Sequence, residues 1–233
     1  MSGHSKWATT KRQKAASDAK RSQIFTKLTN LITIAARTGA NPETNFKLRM
    51  AIEKARAFSV PKDNIERAIK RGSGEGSDEN LEEIIYEGFG PEKVAVVVEC
   101  VTDNKNRTYS TIKHLFNQYG GNLGSSGSVL WQFQRKGVIV LEMTNLTEAE
   151  QLEIIEAGAE DLQDKDQQIF IYTKSEDLEK VKNSLKKFPI TDTYLIWQTK
   201  DKLKISDKSK LEEFFEKLDE LDEVNEIYTN ADI

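Results

Sequence analysis

At Gly72-Ser-Gly-Glu-Gly-Ser-Asp-Glu79 the spacing of the apolar residues changes, and this break constrains the fold more than any other feature of the chain. The stretch is polar, flexible and rich in Gly and Ser, the composition of a domain boundary. Before it the spacing is helical. Ile24, Phe25, Leu28, Leu31, Ile32 and Ala35 fall on one face of a first helix, which Gly39 and the Asn41-Pro42 turn end. Leu48, Ala51, Ile52, Ala55 and Phe58 mark a second helix. A third opens at Pro61, where a missing N–H costs nothing, and carries Ile65, Ala68 and Ile69. It stops at Lys70-Arg71-Gly72, with cations on the negative end of the helix and a glycine suited to a left-handed cap. These stripes predict a small helical bundle. Residues 1–20 hold few apolar side chains and read either as an arm or as a weakly docked helix.

After the break the runs are shorter. Glu82–Tyr86 reads as a strand, Gly88–Pro91 as a turn, Val94–Val101 as a buried strand and Asn106–Tyr119 as a helix. The glycine-rich loop Gly120–Ser128 then leads to a strand at Val129–Phe133, and Arg135-Lys136-Gly137 makes a turn. Residues 136 to 200 follow the order βαββαβ of a ferredoxin-like unit, its first helix opened by the capping box Thr147-x-x-Glu150. What remains is a helix with Leu211, Phe214, Phe215, Leu218 and Leu221, then a strand at Val224–Tyr228. This pair cannot bury its apolar face alone, so it is expected to rejoin the pieces that precede the ferredoxin-like unit; a C-terminal extension of that unit is the other reading. The expected class is α+β and multi-domain: a helical bundle over 1–75, a discontinuous α/β domain over 80–134 and 203–233, and a ferredoxin-like domain inserted at 135–202.

Charge divides the chain along the same lines. Residues 1–73 hold 16 Lys+Arg against 5 Asp+Glu, a net +11, whereas residues 143–233 hold 12 against 23, a net −11. Basic clustering of this degree is the footprint of a polyanion, most often nucleic acid. Lys6, Lys11, Arg12, Lys14, Lys20, Arg21 and Lys27 share 27 residues with a single acid, Asp18, and Trp7 among them is able to stack on an unpaired base or to anchor the arm. With Lys70 and Arg71 they form the expected contact set. No run approaches the ~18 apolar residues of a membrane helix. The start carries no apolar signal core, and its basic stretch is Lys-rich rather than Arg-rich, unlike a mitochondrial leader. A single cysteine, Cys100, excludes an internal disulfide, and two distant histidines, His4 and His114, make a metal site or a catalytic dyad improbable. No nucleophile–base pair and no cofactor motif stands out, so neither an enzyme nor a cofactor protein is expected.

Two loops are further candidates for anion contact. Gly120–Ser128 lacks the Lys-Ser/Thr of a P-loop and runs from helix to strand, so it reads as a tight connection in which Gly121 and Asn122 touch a partner at most through the backbone. Thr102-Asp-Asn-Lys-Asn-Arg-Thr108 enters a helix. Asn104 or Asn106 caps it, and the free N–H groups with Arg107 either meet an anion or simply close a solvent-facing turn.

Several stretches resemble the YebC/PmpR family: Met1-x-Gly-His-Ser-Lys-Trp7, Lys14-Ala-Ala-x-Asp-Ala-Lys-Arg21, Ile24-Phe-Thr-Lys-Leu28, Pro61-Lys-Asp-Asn-Ile-Glu-Arg-Ala-Ile-Lys-Arg-Gly72, Tyr86-Glu-Gly-Phe-Gly-Pro91, Thr102-Asp-Asn-x-Asn-Arg-Thr108 and Gly120-Gly-Asn-Leu-Gly-x-x-Gly-Ser-Val129. The resemblance spans the chain. It implies a helical domain followed by two α/β domains, the third inserted in the second, and a bacterial, cytoplasmic protein. It also implies a transcriptional regulator that binds DNA or, alternatively, a ribosome-associated factor that contacts rRNA or tRNA and relieves stalling at proline-rich stretches.

Overall fold

Among the described residues of the first third there are three helices: α1 (Asp18–Ala36), α2 (Phe46–Ala57) and α3 (Lys62–Gly72). The structure, a computed structural model, describes residues 18–75, 81–199 and 201–232. Leu28, Ile32 and Ala35 of α1 close a core with Leu48, Ile52 and Ala55 of α2 and Ile65 and Ala68 of α3. Asn45 joins two of these helices. Its Oδ1 accepts the Leu48 N–H and caps α2, while its Nδ2 donates to the Ala35 and Gly39 carbonyls at the end of α1, at 2.8 and 2.7 Å. Gly72 is not the left-handed cap its position suggests; the positive φ falls on Gly74, at +91°. Gly72 is the last residue of α3, and a Cβ there would meet the Thr33 carbonyl oxygen at 2.2 Å and the Ala36 Cβ at 2.7 Å. Glycine therefore sets how closely α3 lies on α1.

The rest of the chain runs β1 (Glu82–Phe89), β2 (Ala95–Thr102), α4 (Lys105–Gln118), β3 (Asn122–Leu123), β4 (Phe133–Leu141), α5 (Glu148–Glu156), β5 (Asp161–Lys165), β6 (Gln168–Lys174), α6 (Leu178–Ser184), β7 (Ile190–Thr199), α7 (Lys208–Asp219) and β8 (Val224–Thr229). One sheet has the order β3-β1-β2-β8, with β1 antiparallel to β2 and β3, and β2 antiparallel to β8. Val94, Val96, Val98 and Cys100 pack there under Ile112 and Phe116 of α4 and Leu211, Phe214, Phe215 and Leu218 of α7. The Phe116 and Phe214 rings meet edge to face at 5.0 Å. The C-terminal helix and strand thus complete the sheet that β1 and β2 begin.

Residues Gln134–Gln198 form a separate compact unit. Its sheet has the order β5-β6-β4-β7, that of a ferredoxin-like unit. Ile139, Leu141, Ile154, Ile171, Leu178, Val181 and Leu185 are fully buried in it, and Thr147 and Glu150 make the reciprocal capping box that opens α5. The class is α+β, with a helical bundle and two small α/β domains, the third inserted in the second.

Further local expectations fail, two of them at glycines. No strand spans Val129–Phe133 and no turn sits at Arg135-Lys136-Gly137: a short 3-10 turn at Leu130–Gln132 precedes β4, which runs straight through all three residues. Gly137 answers to a neighbour, since a Cβ there would meet Thr173 Oγ1 at 2.5 Å and Leu178 at 2.8 Å. Likewise β1 continues through Gly88 and Phe89, and the turn falls at Pro91–Lys93. At Gly88 a Cβ would meet the Asn122 carbonyl oxygen at 2.5 Å. In both cases the glycine admits an adjacent strand or side chain. The apolar pattern of the insert predicts a helix over 175–187 and a strand over 193–198; α6 is shorter, Leu178–Ser184, and β7 begins earlier, at Ile190.

Candidate nucleic-acid interface

Two groups of cations in the helical bundle differ in what they touch. The first group faces the β3-β1-β2-β8 domain. Lys27, only 5% exposed, donates its ammonium to the Asp219 carbonyl at 2.6 Å, with the Asp219 carboxylate at 3.4 Å. Gln23 donates to the Glu220 carbonyl at 2.6 Å. Both side chains serve the C-terminus of α7, whose last carbonyls lack intrahelical partners and which favours a cation. Lys47 pairs with Glu83 at 2.7 Å, Lys54 with Glu226 at 2.6 Å, and Arg37 donates to the Leu81 carbonyl. These residues fasten the bundle to its neighbour. Lys27 belongs with them: its ammonium is buried and engaged, which removes it from the contact set expected of the basic segment.

The second group borders a groove of about 470 Å³ between α1 and α3, lined by Ser22, Phe25, Thr26 and Thr29 on one wall and Asn64, Arg67, Ala68 and Arg71 on the other. No acid lines it. Its walls follow from helical spacing: Ser22, Thr26 and Thr29 fall at i, i+4 and i+7, and Asn64, Arg67 and Arg71 at i, i+3 and i+7. The guanidinium groups are held in place. Arg67 donates through Nε to the Asp63 carbonyl at 3.3 Å and through Nη2 to Asn64 Oδ1. Arg71 donates through Nε to Thr33 Oγ1 at 3.2 Å, beside the close approach at Gly72. The hydroxyls give their protons to their own helix, Thr26 to the Ser22 carbonyl at 3.1 Å and Thr29 to the Phe25 carbonyl at 2.9 Å. Arg21 stacks its guanidinium 5.3 Å from the centre of the Phe25 ring. The groove therefore offers planar cations, hydroxyl oxygens and one aromatic ring.

Of the residues expected to touch nucleic acid, Lys6, Trp7, Lys11, Arg12 and Lys14 lie outside the described residues. Lys20 and Arg21 are exposed on α1, Lys70 is exposed on α3, and Arg71 lines the groove. Sequence reasoning missed Arg67, Asn64, Ser22, Thr26 and Thr29. The available signal was a hydroxyl stripe on one helix and a guanidinium–amide stripe on another, each on the flank of an apolar face.

The second expected set is otherwise occupied. Asn104 caps α4 by accepting the Arg107 N–H at 3.1 Å. Arg107 pairs with Asp103 at 2.7 Å and with Glu223 at 3.4 Å, and Asn106 is exposed beside it. Gly121 lies against the Phe89 carbonyl, where a Cβ would come to 2.4 Å, and Asn122 pairs with Phe89 in β3. The glycine-rich loop does hold an anion, but the anion is the chain's own. Glu87, 3% exposed, accepts the N–H groups of Gly127, Val129 and Leu130 at 2.7, 3.0 and 2.8 Å. Glu92 repeats the device at the start of α7, where the backbone N–H groups of Ser206 and Asp207 hold its carboxyl below the usual range.

Cys100 is buried, and burial pushes its thiol up, so it is a thiol at neutral pH. Among the described residues no group of three or more His, Cys, Asp and Glu is arranged to hold a metal ion, and no helix is long and apolar enough to cross a membrane.

Comparison with known proteins covers both parts of the molecule. Residues 5–75 match the TACO1/YebC protein N-terminal domain, and residues 81–231 match the TACO1/YebC second and third domain. A probable transcriptional regulatory protein of Finegoldia magna is 45% identical over 100% of this chain and 99% of its own length. One of Thermotoga maritima is 47% identical over 100% of this chain and 94% of its own. The crystal structure of a conserved hypothetical protein from Aquifex aeolicus superposes with a TM-score of 0.83 at 44% identity, covering 94% of this chain and 93% of that one. The chain belongs to the TACO1/YebC family.

Proposed function

We propose that this chain is a non-enzymatic, nucleic-acid-binding regulator of gene expression that works in the cytoplasm, and that its basic helical bundle is the part that binds. One observation carries the reading. Lys27, Arg37, Lys47 and Lys54 are bound to the neighbouring domain, while two guanidinium groups, Arg67 and Arg71, line the α1–α3 groove, with no acid among its described lining residues. Lys20, Arg21 and Lys70 on the same two helices, with Lys6, Trp7, Lys11, Arg12 and Lys14 of the preceding segment, extend the basic character. Relatives named as probable transcriptional regulators support DNA as the target. The second reading is a ribosome-associated factor that contacts rRNA or tRNA and relieves stalling at proline-rich stretches. The groove favours it, since two helices flanking a cleft suit an irregular strand better than a duplex major groove, which admits a protruding helix.

Ultraviolet crosslinking in cells, followed by sequencing of the attached nucleic acid, tests the proposal. Reads concentrated at promoters support DNA regulation, and reads concentrated in rRNA or tRNA support the ribosomal reading. Recovery no greater than from a non-binding control protein overturns both.

A further inference from the structure

We infer that the α1–α3 groove is a site for one unpaired ribonucleotide of a single strand. The inference rests on the reading that the helical bundle binds nucleic acid, and deepens it. The volume, about 470 Å³, lies within the roughly 300–1,000 Å³ of sites that enclose small organic groups. A duplex turns its bases inward and offers a convex row of phosphates, which gives such a cleft nothing to enclose. An unpaired nucleotide offers a phosphate, a sugar and a free base face together.

The lining matches those three parts. Arg67 and Arg71 supply the planar donors a phosphate takes, and each guanidinium is already held through Nε, so little rotamer freedom is lost on binding. Phe25, with Arg21 stacked against it, supplies the aromatic surface for a base.

The hydroxyls decide between RNA and DNA. Thr26 and Thr29 spend their protons on the Ser22 and Phe25 carbonyls, so toward the groove they act as acceptors. A phosphate oxygen gains nothing from an acceptor, whereas the 2′-hydroxyl of ribose is a donor that deoxyribose lacks.

The test uses the full chain and fluorescence anisotropy at fixed salt, with one twelve-nucleotide mixed sequence as single-stranded RNA, single-stranded DNA and duplex DNA. Single strands are expected to bind at least tenfold more tightly than the duplex, with RNA several-fold ahead of DNA. Arg67→Ala should weaken both single strands about tenfold and leave duplex binding within twofold. Thr26→Val, nearly isosteric on an exposed helix face, should remove the preference for RNA and leave single-stranded DNA binding unchanged. Arg56→Ala, the loss of one charge on α2, controls for general electrostatics. Thermal unfolding of each variant checks that the fold is retained.

Equal affinity for single strands and duplex overturns the inference. So does an equal loss with Arg67→Ala and Arg56→Ala, or an RNA preference that Thr26→Val leaves intact. A protein that binds none of the three probes overturns the proposed function itself.

Discussion

The glycine-rich loop and the α1–α3 groove both gather groups that attract anions, and they differ in who supplies the anion. In the loop three backbone N–H groups converge on Glu87, which comes from the neighbouring strand β1 and is buried with them. In the groove two arginines and three hydroxyl side chains line a cleft with no carboxylate among its described lining residues. The loop is stabilised by a satisfied charge; the groove is the proposed place for an anion from outside the chain. The bundle's cations differ in the same way, with Lys27, Lys47 and Lys54 met by carboxylates of the second domain, whereas Arg67 and Arg71 line the groove and are held through Nε by the Asp63 carbonyl and Thr33 Oγ1. A cluster of donors thus becomes a candidate site only after the chain's own acceptors have been subtracted.

The largest expected effect breaks the comparison on the basic side. Replacing Lys11, Arg12 and Lys14 together by Glu should weaken nucleic-acid binding about 100-fold or more near 0.1 M salt, since each lost phosphate contact costs several-fold there. The melting temperature should hold, because this stretch carries little apolar residue to bury. Affinity unchanged in the triple variant would confine binding to the helices that follow.

The next effect tests the loop. Glu87→Gln keeps the shape of the side chain but turns one acceptor oxygen into a donor facing an N–H. Stability should fall by about 2–3 kcal/mol, the cost of lost charge-assisted bonds and one buried donor left unmet. Nucleic-acid affinity should not move. Denaturant unfolding and anisotropy on the same samples check both halves. A large drop in affinity at retained stability would make the loop a binding element after all.

These two regions were unequally legible in the sequence. Apolar spacing marked the three helices, the strand order of the inserted domain and the return of the chain at Val224, because each burial face repeats within one element. Charge marked the bundle as basic for the same reason: it is a sum over local residues. What needed the fold was pairing across elements. Gly72, Gly88 and Gly137 look like caps and turns along the chain, yet each admits an atom from a distant segment: the Thr33 carbonyl, the Asn122 carbonyl and Thr173 Oγ1. Lys27 resembles Lys20 and Arg21 in sequence, and only the C-terminus of α7, 192 residues away, makes it structural. Thr26 and Thr29 sit beside the apolar face of α1 and read as solvated until α3 forms the opposite wall.

The smallest expected effect sharpens the comparison at Arg107. Arg107 stands at the start of α4 beside Asn104 and Asn106, a setting that in sequence suggests an anion contact. In the structure its guanidinium already faces two carboxylates, Asp103 and Glu223. A phosphate would have to displace them, and the pairs are exposed, so the exchange gains little. Arg107→Ala should therefore leave the logarithmic salt dependence of binding unchanged, any difference staying well below the ~0.7 that one phosphate contact contributes on a single strand. Arg67→Ala should lower that slope by about the same ~0.7. Measuring both variants across one salt titration compares an arginine whose anion is built in with one whose anion must come from outside. A slope that falls equally in the two would place α4 at the interface and end the distinction between them.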